Sequence, residues 1–208
     1  MEIEFNKEFG KSNALHIIMR QPTLWIVQYL LNELNLQFDS PDSQDRTPFS
    51  IGIDTQILKH NTLIDKAVNL LIEKKANIDY PDEANQTPYL KLYNAQLREA
   101  AELLREKGAN VNQMNNSGIF ALKIALIRRE DAEIKRLVSV GANINQIDQK
   151  GRNLLHFAIN MSSSTADATF ETEQLLIDLG VDINVRDSLG RVPLHYAFVK
   201  IKDYANKT

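Results

Sequence analysis

The sequence predicts an all-α protein, a solenoid of stacked helix–turn–helix repeats. One tetrapeptide recurs at offsets of 33, 33 and 39 residues, as Ala76–Asp79, Ala109–Asn112, Ala142–Asn145 and Val181–Asn184. An apolar column recurs with spacings of 34, 40, 33, 33 and 39, at Leu15, Phe49, Tyr89, Leu122, Leu155 and Leu194. Two columns with the same period of about 33 residues indicate repeated units that bury their apolar faces against their neighbours.

Each repeat is predicted to open with a tight turn. The third position after the tetrapeptide column holds side chains that accept hydrogen bonds from turn amides: Asp42, Asp82, Asn115, Asp148 and Asp187. The sixth position holds only residues that tolerate a positive φ: Asp45, Asn85, Gly118, Gly151 and Gly190. Together the two columns predict a hairpin-like loop between successive repeats.

Two helices are predicted to follow each turn. The first is capped by Thr47 and Thr87 in two repeats, and prolines occupy its first position at Pro48, Pro88 and Pro193. The second ends near a glycine suited to a left-handed cap, at Gly108, Gly141 and Gly180. It carries paired apolar columns: Leu30, Leu70, Leu103 and Leu175 beside Leu31, Leu71, Leu104, Leu137 and Leu176.

Two further predictions concern side chains of the second helices. Arg136 interrupts the first leucine column, and we expect its stem to pack along the surface with its head in water. In the first repeat, the stripe of Trp25, Ile26, Val27, Leu30 and Leu31 is predicted to be core.

The two long periods indicate insertions. About seven extra residues fall within 53–63 and about six within 161–170, by comparison with the 33-residue period. Both are expected between the two helices of their repeat, at the end opposite the hairpin loops. Because loops lengthen at little thermodynamic cost, tolerated drift is the favoured explanation.

These motifs resemble ankyrin repeats, whose usual signature is Gly-x-Thr-Pro-Leu-His. The matching segments are Thr47-Pro48-Phe49-Ser50, Thr87-Pro88-Tyr89-Leu90, Asn153-Leu154-Leu155-His156 and Val192-Pro193-Leu194-His195. The first and fourth repeats lack the Thr-Pro pair. The resemblance implies one domain over residues 1–208, with five complete repeats and a sixth begun, at about 10–41, 42–81, 82–114, 115–147, 148–186 and 187–208.

Catalytic, cofactor and metal sites are not predicted. His16, His156 and His195 share one repeat column, where the family's histidine bonds neighbouring turn backbone, and His60 has no ligand partner nearby in sequence. The chain has no cysteine and therefore no thiol nucleophile or zinc–thiolate site. It also lacks a Gly-rich phosphate loop, His-Glu-x-x-His and Gly-x-Ser-x-Gly. We therefore do not expect an enzyme.

Composition excludes further classes. A net charge of −3 argues against nucleic-acid binding, which requires a basic stripe. No apolar stretch approaches the about 18 residues of a membrane span. The N-terminus lacks the character of a signal peptide. The sequence thus predicts an intracellular protein of the cytoplasm or nucleus. Neither a membrane nor a small-molecule substrate is expected as its partner. Its Asn-x-Ser/Thr sequons are expected to be accidental.

The resemblance implies recognition of a protein or peptide on a concave face formed by loop tips and first helices. Residues at the tips are the candidates for partner binding: Tyr80, Glu83, Gln113, Met114, Asn116, Gln146, Ile147, Gln149, Arg186 and Ser188. Tyr, Met and Arg are enriched in interfaces. Met114, Ile147 and Arg186 occupy one equivalent position in three successive repeats.

Two other functions stay open. The chain is alternatively a targeting segment of a larger enzyme, such as a kinase, ubiquitin ligase or ADP-ribosyltransferase, or else a scaffold or secreted bacterial effector. The sixth repeat supplies a first helix alone, so the face of Leu194, Ala197, Phe198 and Ile201 is expected to be incompletely covered. Since terminal repeats normally need a polar outer face, the sequence predicts a fragment of a longer protein.

Overall fold

The computed structural model describes residues 14–20, 24–33, 39–59, 62–161 and 170–205. Within these ranges the regular structure is entirely helical, as predicted. The helices are α1 Ala14–Ile18, α2 Leu24–Glu33, α3 Pro48–Lys59, α4 Thr62–Glu73, α5 Pro88–Asn94, α6 Arg98–Glu106, α7 Ala121–Ile127, α8 Asp131–Ser139, α9 Leu154–Met161, α10 Glu171–Asp178 and α11 Pro193–Ala205. They form two compact units, residues 1–116 and 117–208. The prediction of a single domain therefore stays a prediction.

The first unit stacks three helix pairs. The first helices α1, α3 and α5 pack in order, and each contacts the second helix of its own repeat. The apolar column lies in the core, since Leu15, Phe49 and Tyr89 are buried, and so do Leu71 and Leu104 of the second helices. The predicted stacking of repeated units is confirmed within this unit.

The second unit stacks α7, α9 and α11 in the same way, with α8 against α7 and α10 against α9. Leu122 and Leu155 are buried, whereas Leu194 of α11 is 60% exposed. Phe198 and Ile201 are also exposed. The incomplete cover predicted for α11 is therefore confirmed.

Local signals set the helix ends. Thr47 and Thr87 accept hydrogen bonds at Oγ1 from the backbone N–H of Ser50 and Leu90, over 3.2 and 3.3 Å. Asn153 caps α9 in the same way, because its Oδ1 accepts the N–H of His156 at 3.3 Å. The φ angles of the glycines after the second helices are positive, as predicted: Gly108 97°, Gly141 97° and Gly180 85°.

The recurring tetrapeptide joins successive repeats. Its last residue accepts a hydrogen bond from the N–H of the second residue in the next copy. Within the described residues, such rungs run from Asn110 to Asp79 at 3.0 Å and from Asp182 to Asn145 at 2.7 Å. A further rung runs at 2.8 Å from Asn77 to Asp39, which holds the equivalent position 40 residues before Asp79. Asn and Asp both supply a side-chain oxygen that accepts this bond, which is consistent with their recurrence at this position.

The prediction that Trp25 is core is wrong. Trp25 is 67% exposed and Tyr29 is exposed beside it, whereas Val27 is buried. Residues two apart on a helix lie about 200° apart around its axis and residues four apart about 40°. The buried face of α2 therefore contains Val27 and excludes Trp25. Ile26 is half-buried, and the side chains of Leu30 and Leu31 lie outside the described residues.

The insertion of the second repeat was expected as a loop, and this is wrong for most of its length. α3 has 12 residues against 7 in α5, and α4 has 12 against 9 in α6. The extra residues lengthen both helices because the segment 53–59 contains no Gly or Pro to end α3. The fifth-repeat insertion, at 162–169, and His60 lie outside the described residues.

Candidate protein-binding surface

The turn between repeats is built around a carboxylate. Asp148 accepts hydrogen bonds at Oδ1 from the N–H groups of Lys150 and Arg152, each at 2.9 Å. Asp42, Asp82 and Asp187 bond the equivalent amides of their own turns. The sixth position has a positive φ in every turn, from 55° at Asp45 to 74° at Gly190. The positive-φ column is confirmed, and so is the acceptor column at its four aspartates, which we call the turn carboxylates.

An arginine column that the sequence analysis missed completes three of these turns. Arg46, Arg152 and Arg191 each follow a turn carboxylate by four residues and bind its Oδ2 through Nε and Nη2, at 2.7–3.2 Å. Burial alone raises the pKa of Asp42, Asp148 and Asp187, but the bonds from side chains and turn amides outweigh it and hold each pKa below its usual value. The threefold Asp-x-x-x-Arg spacing was the available signal.

The other two turns balance charge differently. In the third repeat Gln86 stands where the arginine would be, and Lys91 of α5 binds both Asp82 at 3.0 Å and Asp54 at 2.8 Å. In the fourth repeat Asn115 and Ile119 replace the ion pair with two neutral residues. A turn of this chain thus has either a carboxylate with a cation or neither.

Two of the histidines bond turn backbone, as the resemblance implied. His16 donates from Nε2 to the carbonyl of Arg46 at 3.0 Å, and His156 to the carbonyl of Arg191 at 3.2 Å. Burial lowers the pKa of both rings, which favours the neutral form. Within the described ranges no three His, Asp or Glu side chains are placed to hold a metal ion.

In the first unit, several predicted binding residues are tied to a neighbouring tip. Tyr80 donates its hydroxyl to Asp45 at 2.8 Å. Asn116 donates from its backbone to Ala84 at 2.9 Å and from Nδ2 to the carbonyl of Glu83 at 3.1 Å. Gln113 and the backbone of Met114 bond Asn85. These contacts hold the tips in place, and the side chain of Glu83 is exposed.

In the second unit the tip residues are more open. Ile147 is 47% exposed, and Gln149 and Ser188 are exposed while Gln146 is half-buried. Arg186 is exposed and donates from Nη1 to the carbonyl of Gly190 at 2.9 Å. The backbone N–H of Ser188 bonds the carbonyl of Lys150 at 2.8 Å. The tips of this unit therefore combine order with exposed apolar and cationic side chains.

Beside these tips lies a feature that the sequence analysis missed, here called the cation–aromatic cluster: Lys123, Arg152, Phe157, Arg191 and Tyr196. Lys123 Nζ lies 3.9 Å from the ring centroid of Phe157, and Arg152 Cζ lies 4.4 Å from it. Arg191 Cζ lies 4.6 Å from the Tyr196 centroid and donates from Nη2 to its hydroxyl at 2.7 Å. Burial lowers the pKa of Lys123.

The cluster depends on one position of the first helix. Phe157 and Tyr196 come two residues after Leu155 and Leu194 of the apolar column, where the first unit has Ile51 and Lys91. Ile51 is buried and Lys91 is held by its two carboxylates. Among the described residues of the first unit, no ring lies beneath Arg46.

A family model described as ankyrin repeats, with three copies, matches residues 90–187. Residues 90–187 therefore carry ankyrin repeats. The solved structures agree: an ankyrin repeat domain from Acinetobacter baumannii AYE has a TM-score of 0.68 at 21% identity, covering 93% of this chain and 94% of that one. A chain in the complex of the Bd0816 predatory endopeptidase of Bdellovibrio bacteriovorus with immunity protein Bd3460 has a TM-score of 0.64 at 20% identity, covering 95% and 100%. At such identities the likeness shows the fold alone.

Curated relatives also contain ankyrin repeats. Putative ankyrin repeat protein L92 of Acanthamoeba polyphaga mimivirus is 36% identical over 38% of this chain and 20% of its own length. Ankyrin repeat and SOCS box protein 6 of Pongo abelii is 30% identical over 60% and 28%. A putative ankyrin repeat protein of Rickettsia bellii is 28% identical over 69% and 45%. The chain thus spans less than half the length of each.

The predictions of fold and family are confirmed. Ankyrin repeats are generally non-catalytic modules of protein interaction. No helix in the described part of the chain is both long enough and apolar enough to span a membrane.

Proposed function

We propose that this chain binds a protein or peptide partner through the hairpin tips and first helices of its ankyrin repeats. Each unit offers its own candidate residues. Those of the first unit are Tyr80, Glu83, Gln113, Met114 and Asn116, and those of the second are Gln146, Ile147, Gln149, Arg186 and Ser188. The proposal includes no catalytic, cofactor or metal site, and it assigns the chain to the cell interior.

The observation that carries the proposal is the combination of order and exposure at the tips. Ile147 exposes 47% of its surface beside a turn whose amides are bonded to Asp148. An ordered loop loses little conformational entropy when a partner binds, so more of the contact energy appears as affinity. One chain in the complex of the Bdellovibrio endopeptidase with immunity protein Bd3460 shares this fold, which supports the same class of function.

A second candidate is a targeting segment within a longer enzyme or scaffold. Its support is that the matched relatives are two to five times longer than the part they share with this chain. This candidate uses the same binding surface and differs in what is attached to it.

The test is affinity capture from native cells, with the retained proteins quantified by mass spectrometry. We expect a partner whose recovery falls about tenfold or more when Ile147→Ala and Arg186→Ala are combined, or when Glu83→Ala and Met114→Ala are combined, because a few anchors carry most binding energy. The pair of substitutions that lowers recovery identifies the unit that binds the partner.

The matched control is Glu106→Ala with Lys135→Ala, which changes exposed side chains of α6 and α8. Surface changes of this kind alter stability by about 0.5 kcal/mol or less. If the control variant loses the partner and both tip variants keep it, the tips are not the binding surface.

A further inference from the structure

We propose that the cation–aromatic cluster binds an extended acidic segment of a protein partner, in which two carboxylates stand three residues apart. This inference rests on the proposed function and specifies its partner chemistry. The cluster is assembled from α7, α9, α11 and the turns that precede α9 and α11, so one unit supplies all of it.

The side of this cluster that faces solvent carries positive charge. The two turn carboxylates beside the cluster, Asp148 and Asp187, have side chains that are 5% and 1% exposed. Their Oδ1 atoms accept turn amides and their Oδ2 atoms accept arginine. The arginines Arg152 and Arg191 are 26% and 45% exposed. Solvent therefore meets guanidinium groups, while the balancing carboxylates face inward.

Side chains near the cluster add further positive charge. Lys123 belongs to the cluster and bonds the carbonyl of Gly118 at 2.9 Å. Lys150 is exposed on the turn of Asp148, and Arg186 is bonded to the turn of Arg191. Asp182 is the opposing exposed carboxylate, and its Oδ1 accepts the N–H of Asn184. Five cations thus stand beside three carboxylates, and the buried groups among them are Lys123, Asp148 and Asp187.

Each guanidinium is fixed before any partner arrives. Nε and Nη2 of Arg152 are bonded to Asp148, and the ring of Phe157 lies against the guanidinium. Arg191 has the same arrangement with Asp187 and Tyr196. Among the described residues, Nη1 of neither arginine makes a hydrogen bond. A carboxylate that accepts from Nη1 gains a charge-assisted bond to a donor whose rotamer is already set.

The repeat geometry sets the spacing of the carboxylates. Arg152 and Arg191 occupy equivalent positions beside α9 and α11, which pack against each other. Packed helices lie about 8–10 Å apart. A polyproline II segment advances about 3.1 Å per residue with three residues per turn, so residues i and i+3 lie about 9 Å apart on one side. In a β-strand, same-side residues fall at about 6.7 or 13 Å. A polyproline II segment with Glu-x-x-Glu is therefore the matching probe.

A polyanion such as nucleic acid is disfavoured as the occupant. Nucleic acid gains affinity from a long basic stripe that displaces many counterions. Here the net charge is −3, and both arginines of the cluster already share a carboxylate. Two discrete carboxylates match two discrete Nη1 groups better than a continuous phosphate chain does.

The experiment uses the full chain and three fluorescein-labelled, proline-rich peptides of equal length. The spaced peptide contains Glu-x-x-Glu, the neutral peptide contains Gln-x-x-Gln, and the adjacent peptide contains Glu-Glu. Fluorescence anisotropy gives the affinities at low salt. We expect the spaced peptide to bind about tenfold or more tightly than the other two, with shifts of the Nε–Hε signals of Arg152 and Arg191 in the NMR spectrum.

The variant Asp187→Asn with Arg191→Ile removes one arginine without changing net charge. It copies the neutral Asn115 and Ile119 turn that this chain already uses, so it is expected to fold. Its matched control is Asp42→Asn with Arg46→Ile, the same ion pair in the first unit with no described ring beneath it. We expect the first variant to weaken binding of the spaced peptide at least fivefold and the control to leave it unchanged.

Three results would overturn the inference. They are equal binding of the spaced and neutral peptides, equal weakening by the two paired variants, and displacement of the spaced peptide by a single-stranded oligonucleotide that binds more tightly. The inference fails while the proposed function stands if the native partner needs the tips but is still bound in two cases. These are competition by the spaced peptide and the variant at Asp187 and Arg191. Failure to retain any protein while the spaced peptide binds would count against the proposed function instead.

Discussion

The turns of the two units share one framework but hold their positive charges differently. In the first unit Lys91 is held between Asp54 and Asp82. In the second unit Arg152 and Arg191 lie on aromatic rings with their outer edges exposed. Every turn carboxylate has a cation in both units. The first unit also has an arginine on its turn carboxylate, Arg46. The second unit differs by the aromatic ring against each of its arginines.

The exposed turn charges follow the same division. In the segments 39–46, 77–86 and 110–116 they are the carboxylates Asp39, Asp45 and Glu83. In the segments 143–152 and 182–191 three of the four are cations, Lys150, Arg186 and Arg191, and the fourth is Asp182. The net charge of −3 conceals this difference. The exposed turn charge is thus acidic in the first unit and mainly cationic in the second.

The largest expected effect tests whether the two units are equally well packed. Leu104 in the first unit and Leu137 in the second are buried at equivalent core positions. Replacing either by Ala should lower the free energy of unfolding by about 2–5 kcal/mol, because the cavity adds to the lost transfer energy. Urea unfolding measures it. The half-buried Leu103→Ala is the control and should cost less; a loss below about 1 kcal/mol at Leu104 or Leu137 would contradict the assigned core.

A smaller loss of stability is expected when a turn carboxylate is replaced, and its size should differ between the two units. Asp148→Ala leaves two turn amides and Arg152 without their acceptor at a site whose side chain is 5% exposed. The expected cost is about 1–3 kcal/mol. Asp82→Ala should cost less, since its side chain is 19% exposed and Lys91 keeps Asp54. Melting temperatures of both variants decide the order, and a larger loss at Asp82 would show that the units do not differ as described.

The smallest effect is a pH dependence shared by the two units. Burial lowers the pKa of His16 and His156 from the usual 6.5. As the pH falls, these histidines are therefore protonated at a higher pH in the unfolded chain than in the folded one. The free energy of unfolding should be fully maintained above about pH 6.5 and decline as pH falls below it. Urea midpoints at about pH 7.5 and 5.5 measure the slope, which His16→Asn with His156→Asn should reduce. An unchanged slope would contradict neutral buried rings.

Much of the fold follows from sequence because single positions impose local requirements. An Asp three residues after the tetrapeptide and a Gly or Asn at the sixth position suffice to specify a turn, and Pro or Gly marks where a helix begins or ends. Trp25 was misplaced because a run of apolar residues was read without its helical angle. The second-repeat insertion was misread because seven extra residues fit a loop or longer helices equally well.

The candidate site was less accessible to sequence reasoning. Lys123 and Tyr196 are 73 residues apart in the chain, and their cluster exists only once α7, α9 and α11 are stacked. The arginine column was visible as a spacing, yet the ring under each arginine depends on packing. The ties that hold Tyr80, Gln113 and Asn116 to neighbouring tips likewise join residues 28 to 35 positions apart.

The rungs between tetrapeptides give each unit a mechanical character. Each rung, such as the one from Asp182 to Asn145, joins only adjacent repeats. Because each repeat of a unit packs only against its neighbours, we expect a unit pulled from one end to lose its repeats one at a time. Each loss would free about 33 residues, or roughly 100 Å of extended chain.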